Sequence, residues 1–409
     1  MTDHQHLRHA ISRQQKQPAN PISRRQAVRL LGTSAASLGS LTLQSSSFAA
    51  SAEVLSHRVI SRTPNLYCGW PTLTRRQNGQ LLLVWSGERE EHVCPFGRVD
   101  IMRSDDNGAT WSWPRTLHDS AIDDRDAGIT ETSRGTLLVT TFSSLAYQSG
   151  LDRANREHAA GKPVWENEKR ERWLSAHRRI PDDARKQELG TWMLRSTDGG
   201  LSWSNRYRCP VNSPHGPTQL KDGSLLYAGV QLWDDKRRVG VCRSLDDGMT
   251  WQWLADLPVR KEDQNKEYHE LHAVECESGK IIIHIRNHNP NSSREILQCE
   301  SNDGGQTWTT PHRIGVWGLP SFLLRLQSGR IVMSYGYRRK PFGNQARYSD
   351  DEGRTWSDPM TISNDGIGSD LGYPSTVELA DGSLLTVWYE RMEGNPHAVL
   401  RQANWRIRD

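Results

Sequence analysis

Six glycines, Gly79, Gly135, Gly223, Gly279, Gly329 and Gly382, each close a short turn that feeds an apolar strand. Nine residues before them stand Trp70, Asp126, Pro214, Glu270, Pro320 and Tyr373. Three of these six, Asp126, Glu270 and Tyr373, can hold or pass a proton. Arg286 follows its turn glycine by seven residues and Glu390 follows its own by eight, while Arg338 and Arg339 sit in the loop YRRKPFGNQAR. Carboxyls next to a phenol can act as acid, base and nucleophile. Arginines beside them can grip an anion through charge-assisted hydrogen bonds worth about 1.5–3 kcal/mol each. The loop GEREEHVCPFG adds Glu91 and His92, either able to donate a proton.

These residues lie far apart along the chain, so the fold must bring them together. Five segments share one frame: SDDNGATW at 104–111, STDGGLSW at 196–203, SLDDGMTW at 244–251, SNDGGQTW at 301–308 and SDDEGRTW at 349–356. Periods of this length mark stacked structural units. Each box makes sense as a hairpin turn in which Ser and Asp bond local amides, Gly takes positive φ and Trp packs underneath. The boxes are therefore read as structural staples. The turn glycines define a second repeat, as in QNGQLLLVW, ESGKIIIHI and DGSLLTVW. Six inner hairpins and five boxes predict an all-β, six-bladed β-propeller. Its last blade takes strands near 374–380, 383–390 and 397–407 and an outer strand from Val54–Ile60, which ties the two ends together and hides the sheet edges. In such a ring the inner strands start at one mouth, so residues at equal distance from the turn glycines converge there.

From turn glycine to box serine the intervals are 25, 61, 21, 22 and 20 residues, which places an insertion of about 40 residues in the second blade, at 145–188. Its charged, helix-favouring composition and the apolar Trp165, Trp173 and Leu174 predict a partly helical flap over the mouth.

Together the boxes, hairpins and ring positions resemble the sialidase (neuraminidase) superfamily across 54–409. HELHAVECESGKIIIHIRNH is similar to that family's fourth blade and LGYPSTVELADGSLLTVWYE to its sixth. The resemblance implies Tyr373 as nucleophile, Glu270 as its base partner, Arg286 in a carboxylate clamp, Glu390 as a supporting carboxylate, and one of Arg338 and Arg339 as the fifth-blade arginine. A neutral Tyr suits an anomeric carbon bearing its own carboxylate, which would repel an Asp or Glu nucleophile. Two features depart from the family. Its first blade carries an R-I-P triplet, whereas YCGWP leaves Gly69 in place of the arginine; Arg98 and Arg125 are the residues that could compensate. Its general acid is an Asp about 24 residues further on, where Glu91 and His92 stand here, and Asp126 in IDDRDAG is a further candidate. The expected activity is that of an exported glycoside hydrolase removing terminal sialic acid or a related acidic sugar. The alternatives are a hydrolase or lyase acting on a uronic-acid- or rhamnose-containing polysaccharide, and a non-catalytic carbohydrate-binding propeller.

Residues 23–29, SRRQAVR, precede a weakly apolar stretch from Leu30 to Leu43 and the small residues Ala50-Ser51-Ala52. That order matches a twin-arginine signal over 1–52, which implies the twin-arginine export machinery as a partner, a periplasmic or secreted destination, and no membrane association after signal removal. Six basic residues and Asp3 lie in this leader, so the totals of 52 basic and 48 acidic residues leave 46 against 47 in the body. A nearly neutral body argues against nucleic acid or an anionic membrane as its partner. The longest apolar run is shorter than a bilayer span. Six cysteines fall in the body without CxxC or zinc-like spacing, and they read mainly as small buried side chains. The histidines at 215, 269, 272, 284 and 288 are read as strand residues with local hydrogen bonds. Neither a metal nor a cofactor is expected.

Overall fold

The computed structural model describes residues 51–63, 65–233 and 236–408. Among them, six antiparallel four-stranded sheets follow one another as the blades of a propeller. The closure is the one read from the repeat. Ser51–Val59 pairs with Ala398–Arg408 and supplies the outer strand of blade six, whose other strands are Leu384–Arg391 and Leu371–Glu378. Ser51 and Ala52, read as the end of the leader, pair with Arg408 and Ile407; the rest of that leader lies outside the described residues.

The second strand of each blade is apolar along its length because neighbouring blades cover both faces. In blade four, Ile281, Ile283 and Ile285 pack with Leu226, Ala228 and Val230 of blade three. Ile282, pointing the other way, packs with Leu323 and Met333 of blade five. Strand alternation sends successive side chains to opposite faces, and burying each Ile is worth roughly 1.5–3 kcal/mol.

The boxes act as staples. Ser104 Oγ donates to Asp106 Oδ1 (2.7 Å) and accepts from the Gly108 amide (2.8 Å), while Asp106 accepts from the Thr110 amide and hydroxyl at 2.8 and 2.6 Å. The Ser-to-Asp and Gly-to-Ser bonds recur in the boxes beginning at 196, 244, 301 and 349. Trp111 ties blade one to blade six by donating to Gln402 at 2.7 Å.

Between Leu137–Ser144 and Thr191–Ser196 of blade two, the insertion folds into α1 (Gln148–Ala159), α2 (Asn167–His177) and α3 (Asp182–Glu188). Its apolar side is the predicted one. Trp173 and Leu151 pack with Tyr147 and with Cys94 of the first blade's loop, and Trp173 Nε1 donates to Glu90 at 2.7 Å. The flap is thereby fastened to the loop of blade one at the end of the ring where the inner strands begin. All six cysteines are buried and unbridged. No helix among the described residues is long and apolar enough to cross a membrane.

Candidate active site

The inner strands break their pairing at the ring position read from the turn glycines. In blades one, two and six the register shifts between Gly69 and Thr72, Arg125 and Gly128, and Gly372 and Ser375. Within these bulges Trp70, Asp126 and Tyr373 have φ of 53°, 50° and 52°. A bulge re-aims one side chain at the cost of a ladder bond, and left-handed backbone at a non-glycine residue costs about 1–3 kcal/mol. Three such residues at one register turn three side chains toward the axis. The strands must also approach closely there: a Cβ on Gly128 would lie 2.6 Å from the amide nitrogen of Gly216 in blade three.

Blade four contributes Glu270 and Arg286, and blade six contributes Tyr373. The Tyr373 hydroxyl donates a hydrogen bond to Glu270 Oε1. Arg286 Nη1 donates to the same carboxylate oxygen at 2.7 Å and to Tyr373 Oη at 3.0 Å, while its Nε donates to His288 at 2.8 Å. Glu270 Oε2 is buried with no partner, leaving one lone-pair face for a ligand or water.

Burial works against charge on Glu270, but Arg286, His269 and the Tyr373 hydroxyl outweigh it and hold the carboxyl down to about 2. Burial and the Glu270 charge push the Tyr373 phenol well above its ordinary range. The resting pair is therefore a neutral phenol donating to a carboxylate. Asp126 behaves differently: burial pushes it up to about 7, with Arg125 opposing and the Glu270 charge reinforcing the rise. It is 7% exposed. His215, held down to about 3 by burial, sits with its ring 6.4 Å from that of Tyr373 and neither nitrogen partnered. Beyond His215 the axial channel holds a cavity of about 320 Å³ lined by Leu73, Ile129, His272, Phe322 and Val377 among others. That cavity lies further along the inner strands than the Tyr373 cluster.

On the first-blade side the wall is aromatic. Trp70 is buried, with its ring 6.4 Å from Tyr373 and 5.9 Å from Tyr389, and the guanidinium carbons of Arg125 and Arg89 lie 4.5 and 4.8 Å from its centre. Arg89 is wholly buried and forks onto Asp123 at 2.6 and 3.0 Å. Tyr67 fills the space beside Gly69, where an added Cβ would lie 2.9 Å from Tyr67 Cε1.

A family model for the BNR repeat-like domain matches residues 148–387, more than half of the chain. This chain belongs to the BNR repeat-like domain family. None of the curated proteins compared matches it. Among solved structures, a protein of unknown function from Dyadobacter fermentans is 22% identical with a TM-score of 0.70, covering 87% of this chain and 99% of that one. The intramolecular trans-sialidase from Ruminococcus gnavus is 12% identical with a TM-score of 0.57, covering 86% and 96%. The NanB sialidase from Streptococcus pneumoniae is 15% identical with a TM-score of 0.59, covering 85% and 70%. At these identities the likeness speaks for the fold. It agrees with the six blades.

Within this BNR repeat-like propeller, the expected site residues divide into two groups. Tyr373, Glu270, Arg286 and Asp126 come together. Arg338 joins them, its guanidinium carbon 5.9 Å from the Tyr373 ring and its Nε buried without a partner. Arg339 turns outward onto Trp317 at 3.7 Å, so of the two it is Arg338 that lies beside Tyr373. His92 reaches the rim, 4.9 Å from Trp70 ring to ring.

Glu91 does not join the cluster; it pairs with Lys169 of α2. Glu390 is fully buried away from it, accepting from Trp388 at 2.7 Å and paired with Arg401. The reason is strand parity: Arg286 stands seven residues after its glycine and Glu390 eight, so they project to opposite faces. The seventh residue in blade six is Tyr389, which faces Tyr373 at 5.9 Å. Of the two arginines that could replace the one missing at Gly69, Arg125 lies on Trp70, whereas Arg98 pairs with Glu88 and Asp100. Sequence reasoning missed Tyr67, Tyr389 and Asp370. The register of Arg286 was a signal for Tyr389; nothing local signalled the other two.

Proposed function

We propose that this protein is an exported glycoside hydrolase that removes a terminal acidic sugar, sialic acid or a relative of it, with Tyr373 as nucleophile. The observation that carries this reading is the convergence of the Tyr373 hydroxyl and Arg286 on one oxygen of Glu270, from blades six and four. As Tyr373 Oη bonds to the anomeric carbon, its proton passes to Glu270 and the bond to the leaving oxygen breaks. Water then displaces Tyr373 and Glu270 returns the proton. Proton transfer of this kind is worth about 10²–10⁴ in rate. Arg286 and Arg338 supply the positive charge for a sugar carboxylate. Asp126, neutral below about pH 7, donates a hydrogen bond to the sugar and avoids a second negative charge beside Glu270. Export rests on the twin-arginine pattern at 23–29.

The test is turnover of 4-methylumbelliferyl sialoside and the matching glucuronide by the mature protein and by Tyr373→Phe. Cleavage that collapses in the variant while the fold persists supports the reading. Cleavage unchanged in the variant removes Tyr373 from the chemistry, and sugar binding without turnover would make the propeller a lectin.

One observation favours a second substrate class. The place of a third arginine is taken by Tyr67 and Trp70, so the anion grip is narrower and one face is apolar. A uronide fits that wall, and release from the glucuronide alone would select it. A rise in ultraviolet absorbance from an unsaturated product would indicate elimination instead.

A further inference from the structure

The sugar's leaving group must be protonated where it departs, at the solvent side of the mouth. Asp126 is buried, with 7% exposure, and its place in this site is a hydrogen bond to the sugar ring. His92 stands at the rim, with its side chain 46% exposed. Its orientation is fixed. Nδ1 lies 2.9 Å from Asp370 Oδ1 and 2.9 Å from Tyr67 Oη, and its ring stands edge-on to Trp70. Asp370 also accepts from Tyr67 Oη at 3.0 and 3.1 Å and from Tyr389 Oη at 3.1 Å. These bonds point the Nδ1–H at Asp370 and leave Nε2 of the half-exposed ring with no hydrogen bond among the described residues. An imidazole held at one nitrogen by a carboxylate, with the other free, is the arrangement that transfers protons in hydrolytic sites.

We propose that His92 is the general acid and base of this site, oriented by Asp370 as a positioning residue; this rests on the reading of Tyr373 as nucleophile. The imidazolium Nε2–H gives its proton to the glycosidic oxygen as the bond from the anomeric carbon to that oxygen breaks, and the aglycone leaves as a neutral alcohol. The neutral imidazole then takes a proton from the water that attacks the glycosyl-tyrosine. The phenolate released recovers its proton from Glu270, and His92 is again cationic. Asp370 suits its role electrostatically: burial opposes its charge, but the His92 contact and the two tyrosine hydroxyls hold its carboxyl below the ordinary range.

The experiment compares wild type, His92→Gln, Asp370→Asn and Asp126→Asn on paired substrates, the 4-nitrophenyl and methyl glycosides of sialic acid and of glucuronic acid. The value of kcat/KM reports the first bond cleavage, and nitrophenolate leaves without help from an acid. H92Q is expected to lose about 10²–10⁴-fold on the methyl glycoside and less than about tenfold on the nitrophenyl glycoside. D370N is expected to show the same selectivity at a smaller size. Equal losses by H92Q on both substrates, or no loss on either, would overturn the proposal. So would a leaving-group-selective loss in D126N in place of H92Q. If Tyr373→Phe cleaves the nitrophenyl glycoside as fast as wild type, the nucleophile reading fails, and that result is separate from any outcome for His92.

Discussion

Replacing Asp126 with Asn should stabilise the protein at neutral pH and do so in a pH-dependent way. Burial raises this carboxyl from an ordinary 3.8 to about 7. A raised acid favours the folded state fully below the unfolded value, and that advantage disappears as pH climbs through the folded one. Between pH 4 and 7 the folded chain holds one proton more than the unfolded chain, so its stability falls by at most about 1.4 kcal/mol per pH unit. Across that window the ceiling is about 4 kcal/mol. Asn keeps the shape and never ionises. The difference in melting temperature between D126N and wild type should therefore grow from pH 4 to pH 7 and level off above it. For a chain of this length the growth should be up to about 4–8 °C. Thermal unfolding followed by circular dichroism at pH 4, 5.5, 7 and 8.5 measures it. The same ionisation should lower wild-type kcat/KM above pH 7 by adding negative charge beside Glu270. A melting difference that is flat with pH would show that Asp126 is an ordinary carboxylate, and the reasoning from burial would fail.

Restoring the missing arginine should not help: in Gly69→Arg the new side chain meets Tyr67 at its first carbon. Stability should fall by about 1–3 kcal/mol in a denaturant titration, with no gain in kcat/KM. Arg338→Ala should lower kcat/KM for an acidic glycoside by about 10–100-fold, the worth of one charge-assisted bond. Arg339→Ala, on the outer Trp317, should stay within about twofold. Trp173→Ala removes the centre of the cluster that fastens the insertion, a loss of about 3–5 kcal/mol. Limited proteolysis should then cut within 145–188 while the propeller core stays intact, and cuts spread through the blades would contradict a separately fastened flap.

The ring was legible because glycine turns and Ser-Asp boxes recur at fixed offsets, and their count told which blade closes with the other terminus. Counting back from the glycines also reached Asp126, Glu270 and Tyr373, since equal offsets survive in a ring whose blades share one register. The offsets could not reveal the bulges. Positive φ at Trp70, Asp126 and Tyr373 goes with register shifts against the second strand of the same blade, and no local pattern announces it. Parity along the strand explains why Arg286 was placed well and Glu390 was not. Tyr67 and Asp370 were invisible because their contact spans 303 residues. The pairing of Glu91 with Lys169 escaped notice for a similar reason: a charged loop and a charged helix look equally solvated until they meet.

The most direct test of the central claim is the identity of the atom that bonds to the sugar. A fluorinated, activated glycoside, with fluorine beside the anomeric carbon to slow hydrolysis, is incubated with the mature protein, and the labelled peptide is read by tandem mass spectrometry. The account predicts one sugar adduct on Tyr373, absent in Tyr373→Phe. Turnover of the parent glycoside with an adduct on an aspartate or glutamate, or with no adduct formed, would contradict it.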